Sequence, residues 1–378
     1  MMAKVLHITN TNLDWDYRIV KELNVLSKTD FNIYAFGIEL DNFEAKKTNI
    51  ESSVNYFNLK MISTKLNNFL PRFIYYIFFM AEFTFKGVYN GLKIKPKAIH
   101  CHDSIALFVG YLISLFIKTK LIYDAHELNN LRFSPNYILK LNKIIEKIAW
   151  SRIDLLISVS QGILDYYCFS LGEKETLLVP NCNEFSETTN NKKIDLKLKY
   201  NVGENLLFVF VGAFSFGRGI RSILDVFSNK NVKNHVVFIG YGELESSIIS
   251  YAKNKNIHFH GSLNQEELIH TVRSADCGLC LIEPISYSDY LSMPNKLYDY
   301  VNSGIPIVCS DLPELSRTVL NHNIGFITKS DNQSLIKLFS NLTITELNSK
   351  TITASIKYKL SWKYNSSLLI KKYQQILN

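Results

Sequence analysis

Short apolar runs alternate along this chain with longer segments of helical spacing, and the alternation runs through twice. Val5 to Thr9 is the first run, and Tyr17 to Leu26 follows with Ile19, Leu23 and Leu26 on one side. Phe31 to Phe36, Ala98 to His102, Leu121 to Tyr123, Leu155 to Val159 and Thr176 to Val179 repeat the strand pattern. Helices are predicted from Ile105, over Tyr137 to Ser151 and from Gln161. An unbroken apolar run suits a strand covered on both faces. Such strands separated by helices predict a parallel sheet with helices on either side.

The rhythm stops at Pro180. Asn181 to Lys193 is polar and rich in Asn, Thr and Glu, the composition of a linker. A second series follows, with strands predicted at Leu207 to Val211, Val236 to Gly240, Ile257 to His260, Cys277 to Ile282, Ile307 to Cys309 and Gly325 to Ile327. A chain of 378 residues exceeds one ordinary core and suits two. The expected fold class is α/β, two doubly wound parallel-sheet domains facing an interdomain cleft. They cover 1–185 and 200–355, with a closing helical segment at 356–378. Ligands of such sheets sit beyond the carboxyl ends of the strands, and a cleft between two domains is the default site.

Apolar residues make up 47% and charged residues 20%, ordinary for a folded globular chain. The net charge of +8 suits an anionic partner such as nucleotide phosphate or an acidic membrane surface. No arginine-rich run or RNA-reading aromatic motif accompanies it, so no nucleic-acid binding is expected. Cys277 and Cys280 lack a second ligand pair and read as core residues. Scattered thiols without a signal peptide point to a cytoplasmic chain. No stretch reaches the ~18–20 apolar residues that span a bilayer. The aromatic stretch Phe73 to Phe85, flanked by Lys65, Arg72, Lys86 and Lys93, leaves two readings open. It is a helix buried against the sheet, or one partly exposed at an anionic interface.

Three clusters carry chemistry. Phe208 to Ile220 runs from a strand through Gly212, Gly217 and Gly219 into a helix. Glycines let a ligand approach the backbone, the helix start offers free N–H groups to an anion, and Arg218 adds a fork suited to a diphosphate. In P-N-K-L-Y-D-Y, Asn295 and Lys296 open a helix after Pro294, with Asp299 one turn on. A lysine there opposes the helix dipole unless an anion is present, and Asp299 offers a carboxylate to a ribose diol. In Y-D-A-H-E-L, His126 stands just past a strand end, where an imidazole can donate a hydrogen bond or move a proton. Glu127 is beside it. H-C-H-D (His100 to Asp103) sets His100 and His102 on one side of a strand. With no further ligand evident, no metal is expected, and His102 reads as cleft-lining or core-capping.

These strings, together with S-V-S-Q-G-I (158–163), L-V-P-N (178–181), G-Y-G-E-L (240–244), H-F-H-G (258–261) and S-W-K (361–363), resemble the GT-B glycosyltransferases. The likeness is to the glycosyltransferase family 4-like (group 1) enzymes and covers nearly the whole chain. It implies two Rossmann-like domains, the first for an acceptor and the second for a nucleotide-diphosphate sugar, UDP- or GDP-linked. By resemblance, Gly212, Gly217, Arg218, Gly219, Gly242, Asn295, Lys296 and Asp299 hold the donor. His126, Arg218 and Lys296 are the catalytic candidates, and His102 and Glu127 lie on the acceptor side. Transfer with retention, no metal and no cofactor are implied, as is a closing helix that returns to the first domain. The chain departs from the family in carrying Leu291 where the first glutamate of E-x7-E falls, Asp299 for the second, Ala213 for the usual arginine, and Asn10 to Asn12 for a glycine-rich turn.

The expected function is sugar transfer to a glycan or lipid-linked acceptor in bacterial surface polysaccharide synthesis. The expected place is the cytoplasm at the inner face of the plasma membrane, with peripheral membrane contact. The alternatives are a nucleotide-sugar epimerase on the same fold, or a non-catalytic nucleotide-sugar-binding subunit, which the missing first glutamate motivates.

Overall fold

The apolar runs become buried strands. Val5, Leu6 and Ile8, like Leu207, Phe208, Val209 and Phe210, have no exposed surface. A computed structural model describes residues 2–39, 49–183 and 194–377. From residue 184 on, the stretch read as a linker lies outside them. The chain divides into two compact units. One holds the residues up to Pro180 and those from Ser366 onward; the other is Asn181–Asn365.

The first unit opens with β1 (Ala3–Ile8), α1 (Tyr17–Leu26), β2 (Phe31–Ile38) and β3 (Asn55–Leu59). It continues with α2 (Arg72–Ile94), β4 (Ala98–His102), α3 (Asp103–Phe116), β5 (Lys120–Ala125) and α4 (Asn136–Ala149). It ends with β6 (Ile153–Ser158), α5 (Gln161–Leu171) and β7 (Thr176–Leu178). The strands form a parallel sheet in the order β3-β2-β1-β4-β5-β6-β7. The order reverses between β1 and β4, the switch point where ligands of doubly wound sheets gather. Register decides what meets there: His7 pairs with His100, and His102 with Asp124. Neighbours in register point to the same face, so all four side chains share one side of the sheet.

The second unit begins with α6 (Leu196–Lys199), β8 (Leu207–Val211), α7 (Ile220–Phe227), β9 (His235–Ile239), α8 (Glu245–Tyr251) and β10 (Ile257–Gly261). Next come α9 (Gln265–Val272), β11 (Cys277–Cys280), α10 (Tyr287–Tyr290), α11 (Asn295–Ser303) and β12 (Ile307–Ser310). Then follow α12 (Pro313–His322), β13 (Gly325–Thr328), α13 (Asn332–Asn341), α14 (Ile344–Asn348) and α15 (Ala354–Lys359). Its parallel sheet runs β10-β9-β8-β11-β12-β13, switching between β8 and β11. An aromatic core of Phe208, Phe210, Phe214, Phe227, Phe238 and Phe339 fills one side. On the other, α11 lies so close that a Cβ at Gly278 would meet the Tyr300 ring at 2.3 Å. The Tyr300 hydroxyl accepts from the Val211 N–H at 3.0 Å, which locks α11 across the switch point.

The closing helix α16 (Trp362–Leu377) passes into the first unit at Ser366, where Tyr373 is fully buried. The aromatic stretch forms a helix that is buried along one side and exposed along another. In α2, Phe79, Met80 and Phe83 are buried, while Phe73, Ile77, Phe78 and Phe85 are half or more exposed. Among the described residues no helix is long and apolar enough to cross a membrane.

Candidate functional site

In the second unit the chain leaves β8 through a glycine-rich loop. Gly219, at φ 70°, caps the start of α7, and a Cβ there would stand 2.7 Å from the Leu281 carbonyl oxygen. Gly242, at φ 150°, lies so near Phe214 that a Cβ would clash with its backbone at 2.7–2.8 Å. The loop is thus compressed onto its neighbours, and only glycine fits at either position. No side chain caps α7 or α11, so both helices present open first turns at the carboxyl ends of β8 and β11.

Lys296 stands in that opening. It is 8% exposed, its Nζ has no hydrogen-bond partner, and the Nζ lies 3.5 Å from the centre of the Phe210 ring. Facing it, Gly212 leaves room: a Cβ there would still lie 3.9 Å from the lysine Cε. Burial lowers the Lys296 ammonium to about 7; Arg218 pushes in the same direction, while Cys280 and Asp299 oppose. Arg218 is therefore near enough to Lys296 for the two charges to repel. Arg218 is half-buried. Asn295 is exposed at the first position of α11. Asp299 is buried and accepts a 2.8 Å hydrogen bond from Asn183 Nδ2. Leu291, where the resemblance leads one to expect a glutamate, is buried as an apolar residue.

In the first unit the shared sheet face gathers a polar network. Arg18, from α1, forks onto Asp124 at 2.9–3.3 Å and donates to the Val179 carbonyl at 2.9 Å. His126 Nε2 lies 3.2 Å from Asp124 Oδ2 and 3.2 Å from His102 Nδ1, and His102 Nε2 lies 3.1 Å from His7 Nδ1. His100 Nδ1 is hydrogen-bonded to the Tyr373 hydroxyl. The His126 N–H donates to Asp103 Oδ1 at 3.1 Å. Asp103 opens α3 at φ 65°, a strained conformation for a residue with a side chain.

The charges balance in this network. Burial holds His7 and His102 well below the usual imidazole range, with neighbouring histidines adding to it. Burial and the Asp124 charge raise Glu22 toward its neutral acid. For His126 burial is overturned by Asp124 and Asp103, which raise it to about 9. Two cations, Arg18 and His126, thus stand with two carboxylates, Asp124 and Asp103.

His126 is 19% exposed, a cationic donor at the rim. His102 is not: at 1% exposed, with both nitrogens engaged, it sits behind His126 and holds it. The cleft-lining reading of His102 is corrected accordingly. Glu127 is exposed, 3.8 Å from Arg132. The H-C-H-D pair is also not without further ligands: His7 and Glu22 bring ligand atoms within 4.8 Å of His100 and His102, and His102, Asp124 and His126 form a second such group. The rings are stacked, centroids 4.3–4.5 Å apart, and the Arg18 cation already occupies the neighbourhood. Arg18, Glu22 and Tyr373 had no local signal, since only tertiary pairing joins them to this face.

Residues 192–352 match the family described as glycosyl transferases group 1. The chain is 26% identical over 237 residues to a chitobiosyldiphosphodolichol beta-mannosyltransferase of Candida albicans. That match covers 56% of this chain, which spans about half, 51%, of the relative's length. Its fold is that of a sucrose-phosphate synthase from Thermosynechococcus elongatus, at a TM-score of 0.75 and 14% identity over 99% of both chains. Anabaena Alr3699/HepE in complex with UDP-glucose follows at 0.70 and 14%, over 99% of this chain and 100% of that one.

Proposed function

We propose that this chain, whose second unit belongs to the group 1 glycosyl transferases, moves a sugar from a nucleoside-diphosphate sugar to a glycan or lipid-linked acceptor. One observation carries the reading: a buried lysine ammonium without a hydrogen-bond partner, close to an arginine, at two uncapped helix starts. That arrangement is costly unless an anion completes it, and a diphosphate supplies charge for both cations.

As the bond from the anomeric carbon to the diphosphate breaks, its electron pair goes to the leaving oxygen. Arg218, Lys296 and the first turns of α7 and α11 stabilise that charge without a metal or other cofactor. Asp299 takes the ribose hydroxyls in this reading, and His126 donates a hydrogen bond to the sugar. Transfer proceeds with retention, and the nucleotide is UDP or GDP. The acceptor side includes Glu127. A lipid-linked acceptor, supported by the lipid in the Candida relative's name, suits surface polysaccharide assembly at the inner face of a plasma membrane.

Thermal-shift screening against nucleoside diphosphates and their sugars tests the donor site. A true donor should add about 2–4 kcal/mol of stability at 100–1,000 times its dissociation constant. If UDP, GDP and their sugars all leave the melting temperature unchanged, the reading is wrong.

A further inference from the structure

The first unit carries an apolar concavity between its helices. Helices α2, α3 and α4 enclose a groove of about 840 Å³. Phe73, Ile77 and Phe85 line it from α2, spaced by whole turns; Leu112 lines it from α3, and Tyr137 and Leu141 from α4. Its wall is almost wholly carbon. Phe73, Ile77 and Phe85 are 52%, 51% and 75% exposed, and Phe116, Ile144 and Ile148 extend the apolar surface beyond the groove. A soluble surface rarely leaves so large a continuous apolar patch uncovered.

The charge around it has one sign. Arg72 and Lys93 on α2, and Lys140, Lys143 and Lys147 on α4, are exposed, and none is in an ion pair among the described residues. The acids of these two helices are occupied elsewhere. Glu82 is held by Lys86 and by the N–H groups of Ile62 and Ser63. Glu146 is buried on the hydroxyls of Tyr123 and Tyr167. Aromatic and aliphatic side chains ringed by unpaired lysines complement a surface with hydrocarbon beneath a layer of phosphate.

We propose that this face docks on an anionic lipid bilayer and that the α2–α3–α4 groove takes up one of its hydrocarbon chains. The lysines of α4 and Arg72 lie at the phosphate level, and Phe73, Ile77 and Phe85 enter below it. The proposal deepens the reading of a lipid-borne acceptor, and its test needs neither donor nor acceptor, so the two fail separately.

The test is flotation of the full chain with vesicles of phosphatidylcholine alone and of phosphatidylcholine mixed equally with phosphatidylglycerol. Binding is expected on the mixed vesicles and should weaken as salt rises. The Ile77→Ser/Phe85→Ser variant, changed only at exposed positions, should bind about tenfold or more weakly while keeping its circular dichroism and melting temperature. Lys140→Gln/Lys143→Gln/Lys147→Gln should lose about fivefold per lysine, on the anionic vesicles only. An Ala81→Trp reporter in the groove should be quenched by lipids brominated in the acyl chain. No binding to the mixed vesicles, undiminished binding by the Ile77/Phe85 variant, or an unquenched reporter overturns the proposal. So does a dimer in light scattering that Phe85→Ser dissolves, since a second copy would then cover the face.

Discussion

The Lys296 ammonium rests 3.5 Å from the centre of the Phe210 ring and touches no hydrogen-bond acceptor. An aromatic face replaces only part of the lost hydration, which is why burial brings this lysine down to about 7. At pH 8 it is mostly neutral until an anion arrives. A nucleoside diphosphate should restore its charge, so binding should take up as much as about one proton per site. Calorimetry in buffers of different ionisation enthalpy measures this directly. Lys296→Arg, permanently charged, should bind without uptake; equal uptake by wild type and variant would remove Lys296 from the site.

The same lysine sets a pH slope on stability. The unfolded chain keeps this proton up to its ordinary 10.5, whereas the folded chain gives it up near 7. The unfolded state therefore binds more protons between those values, and folding stability rises with pH across that window. Below about 7 both states are charged and the burial penalty is complete. Denaturant unfolding of wild type and Lys296→Met should diverge in favour of wild type as pH climbs from 7 toward 10. Parallel curves would show that Lys296 is solvated.

Arg218 acts on the leaving diphosphate and on Lys296 together. Arg218→Ala should lower the transfer rate on the order of 10²–10³. It should also raise the Lys296 pKa, because the arginine charge is one of the causes that depress it. Proton uptake on nucleotide binding should shrink in the variant. A slower enzyme with unchanged uptake would mean that the arginine works at a distance from Lys296.

Much of the architecture was legible because doubly wound sheets write long apolar runs into the chain. β1, β4, β8 and β12 are such runs, buried on both faces. β3 escaped notice because Asn55, Tyr56 and Phe57 are exposed on a sheet edge and lack that signature. The glycine loop and the lysine at the start of α11 stood out locally, since each breaks a rule of its own element. The polar network of the first unit was only half visible. His100, His102 and His126 lie in short strings, but Arg18, Glu22 and Tyr373 reach them through register and packing across as many as 273 positions. The groove on α2 was missed for a related reason: one helix gives half a lining, and α3 and α4 supply the rest.

Asp124 is the hub of that network. Asp124→Asn should bring the His126 pKa down from about 9, because the Asp124 charge is the first cause that raises it against burial. The loss also leaves the buried Arg18 cation short of a partner, a change worth about 3–5 kcal/mol where nothing compensates. Glu22 can compensate. It lies 3.4 Å from Arg18, and the Asp124 charge is part of what keeps it neutral. The single variant should therefore be milder than that figure, and Asp124→Asn/Glu22→Gln worse than the sum of the two single changes. Nuclear magnetic resonance titration of His126 and a double-mutant cycle in urea supply the numbers. Strict additivity would show that Glu22 does not exchange charge with Asp124.

His126 gives the first unit a pH slope opposite to that of Lys296. Its pKa is raised when folded, from an ordinary 6.5 to about 9. The stability it adds is present in full below 6.5 and is lost as pH rises through 9. Hydrogen exchange resolves the two units within one chain. Amides of β5 and β6 should exchange faster as pH rises over that range, beyond the intrinsic rate, and His126→Gln should abolish the excess. Should the excess persist in His126→Gln, another group would be titrating.

Tyr373 ties the closing helix to the same face, its hydroxyl on His100 Nδ1 and its ring 6.4 Å from that of His7 at 3°. His100 Nε2 faces Asp124 Oδ2 at 3.5 Å and Glu22 Oε2 at 3.7 Å. Tyr373→Phe would leave His100 Nδ1 unpaired, at about 1–3 kcal/mol, with the stacking intact. Tyr373→Ala adds a cavity in a fully buried place, for about 3–5 kcal/mol in all. The difference between the variants separates the hydrogen bond from packing. Exchange protection of β1 and β4 amides is the readout, since these strands carry His7 and His100. If Tyr373→Phe protects as well as wild type while Tyr373→Ala does not, the helix is held by its ring alone, and the histidine stack does not depend on that hydroxyl.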